Sequence, residues 1–169
     1  SEKEIDLLSL DIAIKKMKEK NNMEKIDFQQ SFNRNLFFFH FQGGEVLKTE
    51  FTYFPFPRIE KGDRKGDIMI DSLLDIAVNK LFTIYQRVQA RDYIDLYLIV
   101  KQENLTIAEL TAKAKIKFDW HIDPLQLGTQ FMKATEAKDY PRMIKDISLQ
   151  EWQDFFLEEA KKLKQEIIS

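Results

Sequence analysis

At 169 residues the chain has the length of one domain. Its 26 Lys+Arg against 28 Asp+Glu leave a net charge of −2, which argues against a globally basic nucleic-acid binder. The absence of Cys excludes disulfides, thiolate zinc sites and cysteine nucleophiles, while His40 and His121 stand too far apart to suggest a His-rich metal site. Hydrophobic residues at 44% and charged residues at 32% are globular proportions, enough for one core. No apolar run approaches the ~20 residues of a membrane span, and no signal peptide opens the chain. The expectation is a soluble, cytoplasmic protein with no membrane partner.

In chain order, Ile5-Asp6-Leu7-Leu8 reads as a short strand, and Asp11 to Lys20 as a helix carrying Ile12, Ile14 and Met17. Many of the 14 Phe fall between Phe28 and Phe56, in a stretch that reads as strands. Leu36 to Phe41 and Val46 to Phe54 flank Gln42-Gly43-Gly44-Glu45 and form a β-hairpin, which Pro55 and Pro57 end. Glu60 to Asp67 is a charged loop. From there the chain is helical. Ser72 with Asp75 resembles a capping box, opening a helix with Leu73, Ile76, Ala77, Leu81, Ile84 and Val88 inward. Asp92 to Lys101 continues as helix, Thr106 with Glu109 caps another, and Asp123-Pro124 caps a third. Ser148 with Glu151 starts the last, with Trp152, Phe155, Phe156, Ala160 and Leu163 as its apolar side. Strands first and helices later argue α+β, with helices gathered on one side of a small sheet. A single domain is expected, its sheet-containing part over 1–70 and its helical part over 71–169.

Two groups of residues carry chemistry. Glu4 and Asp6, at i and i+2, share a face if their segment is extended, and Glu50 sits mid-strand on a face with Val46 and Lys48. Were the two strands neighbours, three carboxylates would converge in the hard-oxygen environment Mg²⁺ prefers, with nucleotide phosphates completing the shell. The plain alternative is an exposed sheet face bearing ordinary charges. The second group lies between Lys80 and Leu96: Lys80 and Arg87 stand two helical turns apart, and Asp92 and Asp95 are neighbours at i and i+3. Cations for phosphate and acids to orient them are thereby grouped, unless they form only surface salt bridges of ~0.3–0.5 kcal/mol each. Elsewhere, His40 reads as a packed or edge residue, and Asp119 to Asp123 as a loop and helix cap. The lysines at 15, 16, 18 and 20, and at 161, 162 and 164, read as solvated helix faces.

Asp71-Ser72-Leu73-Leu74-Asp75-Ile76-Ala77-Val78-Asn79-Lys80, then Arg87 and Arg91-Asp92-Tyr93-Ile94-Asp95-Leu96-Tyr97, resembles the signature of the AbiEii/AbiGii toxin family of nucleotidyltransferases. Ser1 to Leu8 is similar to the end of that family's first motif, with Glu4-Ile5-Asp6 in place of an Asp-x-Asp pair. Lys48-Thr49-Glu50-Phe51 is similar to the strand bearing its third acid. The family's Gly-rich phosphate loop precedes the acid pair, and Gly43-Gly44 comes too late in the chain to replace it; with the sequence opening at Ser1, the expectation is a fragment without that loop, the alternative being a chain that has lost catalysis. The resemblance implies a nucleotidyltransferase-like small mixed sheet with helices packed on it and a helical C-terminal half. It implies Glu4, Asp6 and Glu50 on Mg²⁺ (or Mn²⁺), Glu50 as third ligand or base, and Lys80, Arg87 and Arg91 on the nucleotide. Asp92 and Asp95 would complete the site. The implied reaction moves a nucleotidyl group from an NTP to the 3′ end of tRNA or a protein hydroxyl, in a toxin with a cognate antitoxin. A module of the same fold that binds nucleotide or protein without catalysis is the alternative from another class, and a purely structural α+β domain is a third.

Overall fold

A computed structural model of the chain describes residues 4–144 and 146–168. The chain divides into two units, Ser1–Pro57 and Arg58–Ser169.

In the first unit, helix α1 (Leu7–Lys20) precedes strands β1 (Met23–Ser31), β2 (Arg34–Phe41) and β3 (Val46–Thr52). The strands form one sheet in the order β1-β2-β3, and the described strands pair antiparallel throughout rather than as a mixed sheet. The β2–β3 hairpin forms where the Gly-Gly turn places it. Gly43 and Gly44 have φ of +100° and +84°, where a Cβ is strained. Phe37 and Phe39 point to one face and bury against Ile14 and Met23, with Leu10, Ile26, Phe41 and Phe51 at the margins. Helix α1 thus covers one face of the sheet.

The expected strand over Ile5–Leu8 is absent. Asp6 is instead the N-cap of α1, its carboxylate accepting from the amides of Leu8 and Ser9 and from the Ser9 hydroxyl. An Asp followed by apolar residues is the pattern of a helix start as much as of a strand, and the cap satisfies amides that would otherwise have no partner.

The second unit opens with a small hairpin of β4 (Arg64–Lys65) and β5 (Ile68–Met69). Five α-helices follow: α2 (Leu73–Gln86), α3 (Ala90–Glu103), α4 (Ile107–Phe118), α5 (Pro124–Met132) and α6 (Leu149–Ile168), with a 3₁₀ turn at Lys133–Glu136. Three N-termini have the caps their sequences announce: Ser72 on Asp75 N, the Thr106–Glu109 capping box, and Asp123 before Pro124. Helix α2 is central, packing against α3, α4 and α5 through Ala77, Val78, Leu81, Ile84 and Tyr85. Two of its expected inward residues differ. Leu73 is exposed in the first turn, and Val88 lies beyond the helix end at Gln86. Tyr93, Phe131, Trp152 and Phe156 form a fully buried aromatic group between α3, α5 and α6. Truncating Phe156 or Trp152 to Ala costs about 3–5 kcal/mol at such sites.

The division falls at Pro57/Arg58, not at 70/71. Residues 58–71 belong with the helices because Arg58 pairs with Asp71 at 2.7 Å. The amides of Ile59 and Glu60 also donate to Asp75 on α2, at 2.9 and 3.2 Å. Among the described residues, no helix is long and apolar enough to cross a membrane.

Candidate active site

The residues singled out from the sequence fall in both units. In the helical unit the backbone gathers them. Helix α2 ends at Gln86, Arg87 and Gln89 are extended, and α3 restarts at Ala90. This short connection folds the first turn of α3 back towards Lys80 on α2. Gln89 gives α3 no side-chain cap; Asp139, far along the chain, accepts from the Ala90 amide at 2.8 Å instead. Asp92 occupies the first turn of α3, where the helix dipole favours an anion.

The resulting cluster is tight. Lys80 Nζ lies 2.8 Å from Asp92 Oδ1 and 2.6 Å from Asp95 Oδ2. Arg87 Nη2 donates to the other Asp92 oxygen at 3.3 Å. Exposure rises outward: the Asp92 side chain is 3% exposed, Lys80 23%, Asp95 48% and Arg87 50%. Burial pushes the Lys80 ammonium down, but the hydrogen bonds it donates to Asp92 and Asp95 outweigh this and hold its pKa above the usual value. Lys80 is therefore a fixed cation at neutral pH, not a proton donor. Two of its three N–H bonds go to the aspartates, leaving the third and most of the Arg87 fork for a ligand. Asp92 is a bracket: one oxygen orients each cation. Arg91 is exposed on the next position of α3 and touches neither aspartate.

The carboxylates of the sheet unit are arranged differently. Glu50 is held by Arg34 through two hydrogen bonds of 2.8 Å and accepts a third from Thr52 at 2.9 Å. Arg34 is the chief reason its carboxyl is lowered to about 2. Asp6 is committed to the α1 cap, whose Ser9 hydroxyl and neighbouring amides hold its pKa below the usual carboxylate range. Among the described residues, no three His, Cys, Asp or Glu side chains are grouped so as to hold a metal ion. The expected convergence of Glu4, Asp6 and Glu50 is therefore not present. A divalent ion takes several free oxygen ligands, whereas the oxygens of Asp6 and Glu50 already have donors and Glu4 is exposed. As arranged, the three residues do not fit a resident Mg²⁺ or Mn²⁺.

Sequence reasoning passed over two partners. Arg34 was not marked, although the β2–β3 register places it diagonally across from Glu50. Lys117 on α4 is 2% exposed and pairs with Asp75 at 2.6 Å. Nothing in the alternating charges of Lys113 to Lys117 distinguishes the one that turns inward. The blander readings of His40 and Asp119–Asp123 fit their surroundings. His40 Nε2 lies 2.9 Å from Asp27 on the neighbouring strand, while Asp119 and Asp123 end and start helices.

A lysine and an arginine braced by a shared aspartate, with their outer sides open to solvent, form a cluster able to meet an anion. Residues 42–163 match the family model of the nucleotidyl transferase AbiEii toxin of type IV toxin–antitoxin systems. The chain belongs to this family. The match includes Glu50, Lys80, Arg87, Arg91, Asp92 and Asp95 and excludes Glu4 and Asp6. Among solved structures, the crystal structure of JHP933 from Helicobacter pylori is similar in fold, with a TM-score of 0.52 and 18% identity over 85% of this chain. The chain spans 65% of the length of that protein. No curated protein matches it.

Proposed function

We propose that this chain is the nucleotide-handling part of a toxin that transfers a nucleotidyl group from an NTP to an acceptor hydroxyl, at the 3′ end of tRNA or on a protein side chain. The observation that supports this most is the Lys80–Asp92–Arg87 bracket, lying within the family match and open on its cationic side. In this reading Lys80 and Arg87 neutralise the triphosphate, and Asp92 and Asp95 fix where those cations point. The acceptor oxygen attacks the α-phosphorus, the bond from that phosphorus to the β-phosphate oxygen breaks, and pyrophosphate leaves with the electron pair. The hydroxyl proton passes to solvent or a carboxylate. Pre-positioned cations act on the charge that builds on the phosphoryl oxygens. Any Mg²⁺ or Mn²⁺ enters as part of the NTP complex rather than as a resident of Glu4, Asp6 and Glu50, since the oxygens of Asp6 and Glu50 are engaged and the three acids are not gathered among the described residues. A cognate antitoxin and a cytoplasmic setting complete the proposal.

The test is label transfer from each α-labelled NTP to total tRNA or to the protein, using the full gene product. Lys80→Ala should lower transfer by about 10²-fold or more, as loss of a pre-positioned charge does, and Lys80→Arg should recover part of it. Unchanged transfer in Lys80→Ala would remove the site assignment. The uncollected carboxylates of the sheet unit favour a second reading, in which the chain binds NTP without transferring it. Saturable NTP binding with no label on any acceptor would select that reading.

A further inference from the structure

A cavity of about 660 Å³ lies elsewhere in the helical unit, bounded by the C-terminal end of α3, the N-terminal ends of α4 and α5, and α6. Its volume is that of a small-molecule site. The Lys80 cluster and the cavity share α3, but Asp92 and Lys101 are nine residues apart, about 13 Å along the helix. The floor is apolar, formed by the buried side chains of Val100, Ile107 and Leu127 and by the partly exposed ring of Phe155.

The rim has the opposite character. Lys101, Lys115 and Lys162 line it against a single carboxylate, Glu159, which pairs with Lys162. The lining therefore carries a local excess of positive charge on a chain whose net charge is −2. Lys101 is held by aromatic rings instead of an acid: its Nζ stands 5.2 Å from the centre of Phe155 and 5.8 Å from that of Tyr97. Among the described residues, neither Lys101 nor Lys115 takes part in an ion pair. Two cations without acid partners on different helices, beside an apolar floor that includes an aromatic ring, suit a ligand with an aromatic body and more than one negative charge. A fatty-acid anion would engage one lysine only, and inorganic phosphate would leave the floor unused. Asn104, also on the lining, adds an amide able to meet a base edge.

We infer that this cavity binds a nucleotide, its base against the Phe155 and Ile107 floor and its phosphates between Lys101 and Lys115, at a site separate from the Lys80 cluster. The inference does not depend on transfer at Lys80.

Nitrogen-15-labelled chain titrated with ATP, GTP, CTP and UTP, followed by amide shifts, reads the two sites separately. At least one nucleotide should give saturable shifts over Lys101–Ala108 and at His121 and Ile122. Lys101→Ala combined with Lys115→Ala, both exposed and safe for folding, should weaken that binding about tenfold or more, as loss of charge-assisted contacts does. Ala112→Phe, an exposed helix position on the cavity wall, should also weaken it by filling the space. Lys80→Ala should leave these shifts in place. Shifts confined to Lys80–Asp95 would overturn the inference while sparing the proposed function. So would pyrophosphate binding the cavity as tightly as the nucleotide, wild-type affinity in the double variant, or no shifts at the cavity.

Discussion

Helix α2 takes part in two lysine–aspartate pairs that differ mainly in their access to water. Asp75, in its first turn, meets Lys117 of α4 with side chains 0% and 2% exposed. Five residues on, Lys80 meets Asp92 and Asp95 of α3, with one side of the cluster open. In the sealed pair the carboxylate is saturated. Besides Lys117, the Asp75 carboxylate accepts from the amides of Ile59 and Glu60 and from the Ser72 hydroxyl, at 2.9, 3.2 and 3.0 Å. That carboxylate has no free oxygen left for a ligand, and neither side chain is open to solvent. In the open cluster, a buried aspartate spends both oxygens on orienting two cations whose outer sides face solvent. The same residue types thus make a structural rivet in one place and a candidate ligand site in the other. Spare hydrogen-bonding capacity and solvent access separate the two roles.

The sharpest way to break the comparison is to remove each lysine. Lys117→Met strands a buried carboxylate and should cost about 3–5 kcal/mol, read from the urea midpoint. Adding Asp75→Asn should restore part of that loss, since the remaining donors then face a neutral acceptor. A loss under about 1 kcal/mol for Lys117→Met would mean that the pair is not sealed. Lys80→Met should cost less, about 1–2 kcal/mol, because Arg87 still faces Asp92 and water reaches the cluster. Its larger effect should be on nucleotide handling. If Lys80→Met proved the more destabilising of the two, the division into rivet and ligand site would fail.

The contrast between the pairs was only half legible in the sequence. Lys80, Arg87, Asp92 and Asp95 lie within sixteen residues, on two consecutive helices and the short link between them, so their grouping is visible in the sequence although the pairs form between the helices. Asp75 and Lys117 are 42 residues apart, and only the packing of α4 on α2 joins them. The helix caps at Ser72, Thr106 and Asp123 could be read because capping chemistry is local. Strand β1 was not delimited, since Glu24-Lys25-Ile26-Asp27-Phe28-Gln29-Gln30 holds only two apolar residues and its register shifts between Met23 and Lys25. Asp6 was misplaced for a related reason. Four residues, Ile5-Asp6-Leu7-Leu8, do not distinguish a strand from a capped helix start.

Acidity and alkalinity should sharpen the comparison from opposite ends. Burial pushes the Asp75 carboxyl up, but Lys117, the two amides and Ser72 more than offset it, so its folded pKa lies below 3.8. The stability this shift contributes is present above 3.8 and is lost as pH falls through the lower folded value. The folded pKa of Lys80 is raised above 10.5, so its contribution is complete below 10.5 and disappears as pH climbs through the folded value. Urea midpoints at several pH values should therefore show the wild type converging with Lys117→Met in strong acid. Convergence with Lys80→Met should come only in strong alkali. Convergence of both variants at the same end would contradict the assignment.

The smallest effect is expected in the sheet unit, and it bears on whether Glu50 can serve as a metal ligand. Its pair with Arg34 is well formed, but the side chains are 33% and 56% exposed, so water and salt compete for both. Glu50→Gln should cost under about 1 kcal/mol, and less still in high salt. The informative comparison is with Arg34→Ala. Removing the arginine frees two hydrogen bonds on a carboxylate that keeps Thr52 as a donor, and its pKa should rise from about 2 towards the ordinary glutamate value. A carboxylate so released has open oxygens and supplies one of the several ligands a divalent ion takes, water or nucleotide completing the shell. Mn²⁺ binding that appears in Arg34→Ala and not in the wild type would identify Arg34 as what keeps Glu50 from serving as a ligand. Equal binding in both would show that the Arg34 contact yields to metal readily and that the Glu50 pair is no barrier at all.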